Sequence, residues 1–293
     1  MKAPIAIDEF IAGRERGSHE QPTHYRHVLT FFGLYARPAG KVIPIAAVIR
    51  LLAGLDLEPS SVRSSISRLK AKGVLVSQRT ASGSGYTLSE DLEPHMLAGD
   101  ARIFSTRAMG VDEPWLLVSY SVPESERQHR RKIRAGLARM GFGSVVAGLS
   151  IGPARLQSDA VEYIREHQLW EYVELFVCQP SAYGDLRAKV SRWWDLDALG
   201  NEYQEFVELY QPEVAQWQAL LREGNGTAGD AFRLYVPMMT QWRRLPFLDP
   251  ALPHELLPAN WVGITARKVF SDLHRLLNAL AAEHVTQVIN EYV

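Results

Sequence analysis

A single cysteine, Cys178, stands in a chain of 293 residues. One thiol cannot close a disulfide within a monomer, so the core must hold the fold, and a reducing compartment suits it. Long apolar runs are also missing. No stretch approaches the ~20 residues that cross a bilayer as a helix. The opening MKAPIAIDEFIAG is too short and too acidic for a secretory hydrophobic region. The expectation is a cytoplasmic protein with no membrane partner. The net charge is only −1 at pH 7, so bulk electrostatics gives no reason to invoke nucleic acid. There is no P-loop, dinucleotide glycine fingerprint, nucleophile elbow or set of paired zinc ligands. His24 and His27 share a helix face, but they lack a third metal ligand nearby. No catalytic residue, metal ligand or cofactor is therefore named, and the expectation is a non-enzyme.

What is present is ordinary globular composition, 46% hydrophobic and 22% charged. The length points to two or three domains. Charge is unevenly spread. Residues 21–89 carry Arg26, Arg37, Lys41, Arg50, Arg63, Arg68, Lys70, Lys72 and Arg79 against Asp56 and Glu58, a formal +7. Residues 195–293 carry a formal −6. A basic N-terminal module joined to an acidic C-terminal one suggests a division of labour.

Residues 1–20 read as loosely ordered. From His24 to Arg37, Tyr25, Val28, Leu29, Phe32 and Tyr35 recur at helical spacing, and Pro38 and Gly40 break the run. A second helix starts at Pro44. The third is the stretch EPSSVRSSISRLKAKG, residues 58–73. Pro59 suits its first turn, Glu58 or a serine can satisfy its start, and Gly73 can supply a left-handed stop. Val62, Ile66 and Leu69 form an inward stripe. Ser61, Arg63, Ser64, Ser65, Ser67, Arg68 and Lys70 are left for the outer faces. Two β-like runs, VLVSQRT and YTLS, follow across a flexible tip. Three helices and a hairpin, residues 21–90, are the order of a winged helix-turn-helix. On that scaffold small hydroxyls permit close approach to a groove, and Arg63 and Arg68 can make bidentate contacts. Lys70, Lys72 and Arg79 can neutralise phosphates.

After a polar linker, 91–113, a β–α–β–α–β series over 114–182 implies a small ferredoxin-like α/β domain. SVVAGLSIGP is read there as one strand, with room for a further short strand in the series. Residues 183–293 read as a helical C-terminal domain, with a long helix kinked at Pro212. The overall fold class is therefore α+β and multidomain. Cys178 sits in an apolar strand and is expected to be buried and inert.

Three blocks, VRSSISRLKAKGVL, VPESERQHRRKIRAGLARMGFGSVVAGLSIGP and LPFLDPALPHELLPANWVGITARKVF, occur in order between about residue 24 and residue 277. Together the chain resembles the PaaX-like transcriptional repressors of phenylacetic acid catabolism. The resemblance implies a homodimeric bacterial repressor that binds a palindromic double-stranded DNA operator. It also implies release by an acyl- or aryl-CoA effector, phenylacetyl-CoA in the best-known members. The wing departs from the family pattern: its tip is TASGSG, with Arg79 before it and Tyr86 after it, so Arg79 is its best remaining donor. The middle block is also similar to the small ferredoxin-like nuclease-related subunit of CRISPR adaptation complexes. Where that family carries an aspartate, this chain has Ser121 after Tyr120, and serine alone holds magnesium poorly.

Candidate effector contacts are Arg127, Arg130, Arg131 and Arg134, which share a face by three-and-four spacing, together with Trp193 and Trp194. The same arginines also read as a solvated face paired with acids. Those tryptophans, with Trp170, Trp217, Trp242 and Trp261, also read as core. The reading from another class is a winged-helix adaptor that binds protein or RNA and has no small-molecule effector.

Overall fold

The computed structural model describes residues 23–37, 42–104, 108–179 and 185–292. The 1–20 stretch and the Pro38–Gly40 break lie outside the described residues. In chain order the elements are α1 (Thr23–Tyr35), β1 (Ile43–Pro44), α2 (Ile45–Ala53), α3 (Pro59–Ala71), β2 (Leu75–Thr80), β3 (Gly83–Leu88) and α4 (Glu93–Phe104). Next come β4 (Trp115–Tyr120), α5 (Arg127–Arg139), β5 (Gly143–Val146), β6 (Leu149–Pro153), α6 (Gln157–Glu166) and β7 (Val173–Cys178). The chain finishes with α7 (Leu186–Trp193), α8 (Leu196–Arg222), α9 (Ala228–Trp242) and α10 (Val262–Asn290). Mixed helix and sheet make the chain α+β, as expected. The polar stretch 91–113 contains the 12-residue helix α4, and α8 runs on through Pro212.

These elements gather into two compact units, and neither is continuous in sequence. One holds Phe104–Gln204 and Leu245–Ile264. The other holds the described residues before Phe104, with Glu205–Arg244 and those from Thr265 on.

The first unit is built on an antiparallel sheet in the order β5-β6-β4-β7. Strand residues alternate faces. Leu116, Val118 and Tyr120 of β4 therefore meet Ile133 and Leu137 of α5 and Ala160, Tyr163 and Ile164 of α6 in one buried cluster. Glycine is required where α5 meets α6. A Cβ on Gly136 would sit 2.1 Å from the Tyr163 ring, whose hydroxyl donates to the Lys132 carbonyl at 2.9 Å. SVVAGLSIGP, read as one strand, is two strands, β5 and β6, turned at Gly148 with φ +83°. Trp115 faces the other way and packs at 6.0 Å on Trp194, whose indole N–H donates to the Gly141 carbonyl at 2.9 Å. In the proline-rich block, the buried Asp249 carboxylate accepts from the Tyr203 hydroxyl at 2.7 Å and from Ala251 N–H at 2.6 Å. Cys178 is half-buried, and desolvation pushes its thiol up, so little thiolate forms.

In the second unit α1 is enclosed: no residue from His24 to Arg37 is exposed. Sequence periodicity shows one stripe, but Phe31 and Leu34 make the helix apolar nearly all round, as an interior helix should be. Phe31 and Tyr35 pack on Phe232 of α9 at 6.4 and 6.0 Å. The buried Thr240 hydroxyl donates to the Thr30 hydroxyl at 2.9 Å. Trp242 stacks on Phe270 at 4.4 Å, and its N–H donates to the Ile103 carbonyl at 3.2 Å. Arg37 donates to both Glu93 oxygens, at 2.9 and 3.0 Å, and also to Asp100. Arg50 pairs with Glu291.

His27, on α1, is held down from 6.5 to about 4 by burial first, then by Arg243, Arg26 and His24. Arg243 and Arg26 are cations and repel a metal ion too. A histidine whose folded pKa lies below its unfolded value stays neutral while the unfolded chain takes the proton. Stability is therefore unaffected above pH ~6.5 and is lost as pH falls from there toward 4, by on the order of 3 kcal/mol at most. Urea unfolding between pH 7 and 4 should show this loss, and His27→Gln should flatten it. An unchanged slope in His27→Gln assigns the acid sensitivity elsewhere.

Candidate nucleic-acid interface

Helix α3 owes its position to its apolar stripe. Val62, Ile66 and Leu69 are each at most 2% exposed, and at ~25 cal/mol per Å2 their burial contributes roughly 2 kcal/mol apiece. The helix stops as expected: Gly73 has φ +74°, with its N–H bonded to the Lys70 carbonyl at 3.0 Å and the Val74 N–H bonded to that of Leu69 at 2.9 Å. Glu58 takes the N-cap position without a side-chain cap. The first turn therefore presents backbone N–H groups that can meet a phosphate.

Arg63, Ser67 and Lys70 are exposed and form one stripe at i, i+4, i+7; exposed Ser64 and Arg68 form the next. Arg63, Arg68, Lys70 and Arg79 have no ion pair among the described residues. Arg37 and Arg50, counted in the same basic excess, are consumed by Glu93, Asp100 and Glu291. The cations available to a ligand are thus concentrated on α3 and the hairpin. Lys72, just beyond α3, is exposed and lies 5.7 Å over the Tyr25 ring.

Two expectations change. Ser65 is not on the outer face. It is 2% exposed, and its hydroxyl donates to the Ser61 carbonyl at 2.8 Å. Its position three residues after Val62 and four before Leu69 already put it on the buried stripe, where a small polar side chain is tolerated by bonding back to the helix. Ser61 is half-buried beside it. The hairpin tip is also tighter than TASGSG suggests. Thr80 pairs with Gly83 across a two-residue turn, Ala81-Ser82, and Gly83 has φ +120°. Gly85 lies within β3, where a Cβ would come within 2.6 Å of Thr80 and Val42, because β1 also pairs there. Arg79 is exposed on β2, opposite Ser84.

The expected effector residues lie in the other unit. Arg127, Arg131 and Arg134 are exposed on α5, while Arg130 donates to Glu124 at 3.2 Å and to the Val122 carbonyl at 2.6 Å. Trp194 is a packing residue: it is 7% exposed, and its ring lies 2.7 Å from where a Gly143 Cβ would stand. Trp193 is half-exposed, at 6.2 Å from Trp194. Trp115, against which Trp194 packs, points to the face of the sheet opposite α5. The arginines and the tryptophan pair are therefore not brought together. Trp217, Trp242 and Trp261 are buried core residues, whereas Trp170 is exposed.

Three family models match the chain in order. The PaaX-like protein model matches residues 26–92, the PaaX protein central Cas2-like domain 108–190, and the PaaX-like protein C-terminal domain 194–287. The chain is 28% identical over 254 residues to the transcriptional repressor PaaX of Escherichia coli (strain K12), covering 85% of this chain and 78% of that protein. Among solved structures, the uncharacterized protein Rv0674 from Mycobacterium tuberculosis shares the fold. Its TM-score is 0.56 at 20% identity, covering 92% of this chain and 99% of that one.

If the outer face of α3 is the interface, Ser65→Ala should leave nucleic-acid affinity within about twofold. Ser64→Glu, which sets a carboxylate against phosphates, should lower it by about tenfold or more. Equal losses in the two variants, measured by fluorescence anisotropy, would show that the face is misassigned.

Proposed function

The chain belongs to the PaaX-like family, and from that premise we propose that it is a DNA-binding transcriptional repressor whose reader is α3. The observation that carries this is the acid-free outer face of that helix, with Arg63, Arg68 and Lys70 making no ion pair among the described residues. The similarity to a protein named a transcriptional repressor supports the same reading.

In this proposal α1 to β3 act as a winged helix-turn-helix. α3 enters the major groove, Arg63 and Arg68 contact base edges or phosphates, and the Ser64 and Ser67 hydroxyls permit close approach. The two-residue wing tip contributes little charge beyond Arg79, so α3 carries most of the specificity. The four-stranded unit, with helices on one face and the strand order β5-β6-β4-β7, acts as a ferredoxin-like domain. A homodimer sets two α3 helices about 34 Å apart, one turn of a palindromic operator. An acyl- or aryl-CoA effector relieves repression by binding better to a dimer geometry whose helices no longer match successive half-sites. It can shift that equilibrium only by its difference in affinity for the two states.

The test begins with an operator recovered from a pool of random duplexes. Arg63→Ala/Arg68→Ala should weaken binding by about thirtyfold or more, at ~1–3 kcal/mol per contact, and leave the oligomeric state intact. It should also flatten the dependence of log affinity on log salt by up to about two contacts' worth. Unchanged affinity and slope would falsify the assignment of α3. For the effector, CoA thioesters should raise Tm by mass action and release bound operator. If no thioester does both, the release mechanism is wrong.

A further inference from the structure

Strand β7 is the outer edge of its sheet, and it leaves apolar side chains open to solvent on both faces. Leu175 and Val177 stand opposite Val118 and Leu116, on the face that α5 and α6 cover, whereas Phe176 stands opposite Leu117 on the other face. Phe176 is 54% exposed and Val177 is 52% exposed. A partner lying on either face would cover one of them; a strand laid alongside β7, in the plane of the sheet, covers both. The backbone points the same way. Ser121 N–H donates to the Tyr172 carbonyl at 2.9 Å, while Tyr120 N–H donates to the Gly148 carbonyl at 2.7 Å, on the β6 side. Bonded pairs alternate along an antiparallel ladder, so Glu174, Phe176 and Cys178 bond toward β4. The N–H and C=O groups of Val173, Leu175 and Val177 are aimed outward, where no strand pairs with them among the described residues. The opposite edge is blunted: β5 has four residues, and its pairing is irregular between Ser144 and Val146. β7 runs for six residues with no proline or lysine and one charge, Glu174.

An open, regular, apolar edge is a template for another strand. We infer that β7 is the interface between two copies of this chain, each laying its β7 antiparallel to the other across a two-fold axis at Phe176. The inference rests on the homodimer proposed above and names the surface that forms it. In that register the strand is complementary to itself. Phe176 meets Phe176 of the second copy at a non-hydrogen-bonded position, where side chains approach most closely. Val177 meets Leu175 of the second copy, and these pairs exchange about four backbone hydrogen bonds. Glu174 falls opposite Cys178 of the second copy. An axis at Glu174 would set two carboxylates against each other, and one at Leu175 would set Phe176 against a carboxylate; both lose cross-strand stabilisation. Every contact in the Phe176 register occurs twice, as an isologous interface requires. A foreign peptide would need no such self-match, so the occupant is a second copy. The pairing joins two four-stranded sheets into one.

The experiment uses the full chain, with sedimentation equilibrium as the first readout. Phe176→Glu, which opposes two carboxylates at the axis, should raise the dimer dissociation constant by about tenfold or more. Val177→Pro removes an outward N–H and leaves the bonds to β4 in place, so it should weaken the dimer while the monomer still folds. The second readout is thiol cross-linking, which is clean because Cys178 is the one cysteine of the chain. Under mild oxidation Phe176→Cys/Cys178→Ser should form a covalent dimer, because the two thiols face each other across the axis. Val177→Cys/Cys178→Ser, whose thiol faces Leu175 of the second copy, should cross-link far more slowly. A dimer that persists unchanged in Phe176→Glu and Val177→Pro, with no cross-link through position 176, overturns the β7 interface and leaves the homodimer standing. A wild-type chain that is monomeric while it binds operator removes the homodimer itself, and the interface with it.

Discussion

No residue of helix α1 from His24 on is fully exposed, and the larger unit depends on that enclosure. Val28, Leu29, Phe31 and Phe32 are each at most 3% exposed, and burying side chains of this size contributes about 2–3 kcal/mol each. One side of the helix receives α3, and Phe31 and Tyr35 on another receive Phe232 of α9. A helix enclosed in this way transmits strain rather than absorbing it, because packed interiors have little free volume. The proposed reader is therefore backed by α1, and α1 is backed by a helix drawn from more than 190 residues later in the chain.

The same arrangement sorts the charges. Basic residues of the N-terminal region divide into three groups that composition cannot separate. Arg37 pairs with acids on α4 and Arg50 with Glu291, just past α10, and both serve the fold. Such exposed or half-exposed pairs contribute little stability singly, but they remove cations from the surface available to DNA. Arg26, half-buried on α1, lies close enough to His27 and Arg243 to act on both. Arg63, Arg68, Lys70 and Arg79 remain exposed, with no ion pair among the described residues. The formal +7 overstates the interface, and its position is sharper than the total implies.

Local features of the chain were legible because their causes are local. The Val62–Ile66–Leu69 stripe, the Gly73 stop and the three-helix-plus-hairpin order all appear in the structure as read. Ser65 was missed because serine reads as surface, although its register placed it inward. The β5–β6 turn was hidden inside the apolar run SVVAGLSIGP, where Gly148 with φ +83° was the signal. Contacts between residues far apart in sequence, such as Thr30–Thr240 and Arg50–Glu291, leave no mark in spacing. Neither does the partition of the helical C-terminal region between two units. The Trp193–Trp194 pair misled for a related reason. Aromatic content announces burial, and only the Gly141 carbonyl and the Gly143 backbone show that Trp194 is committed to packing.

The central claim is that α3, rather than the arginine-rich helix α5, meets DNA. Arginine- and lysine-directed chemical labelling read by mass spectrometry, with and without operator duplex, tests it directly. The account predicts that DNA protects Arg63, Arg68, Lys70 and Arg79 while labelling of Arg127, Arg131 and Arg134 is unchanged. Protection of the α5 arginines with α3 left reactive would contradict it.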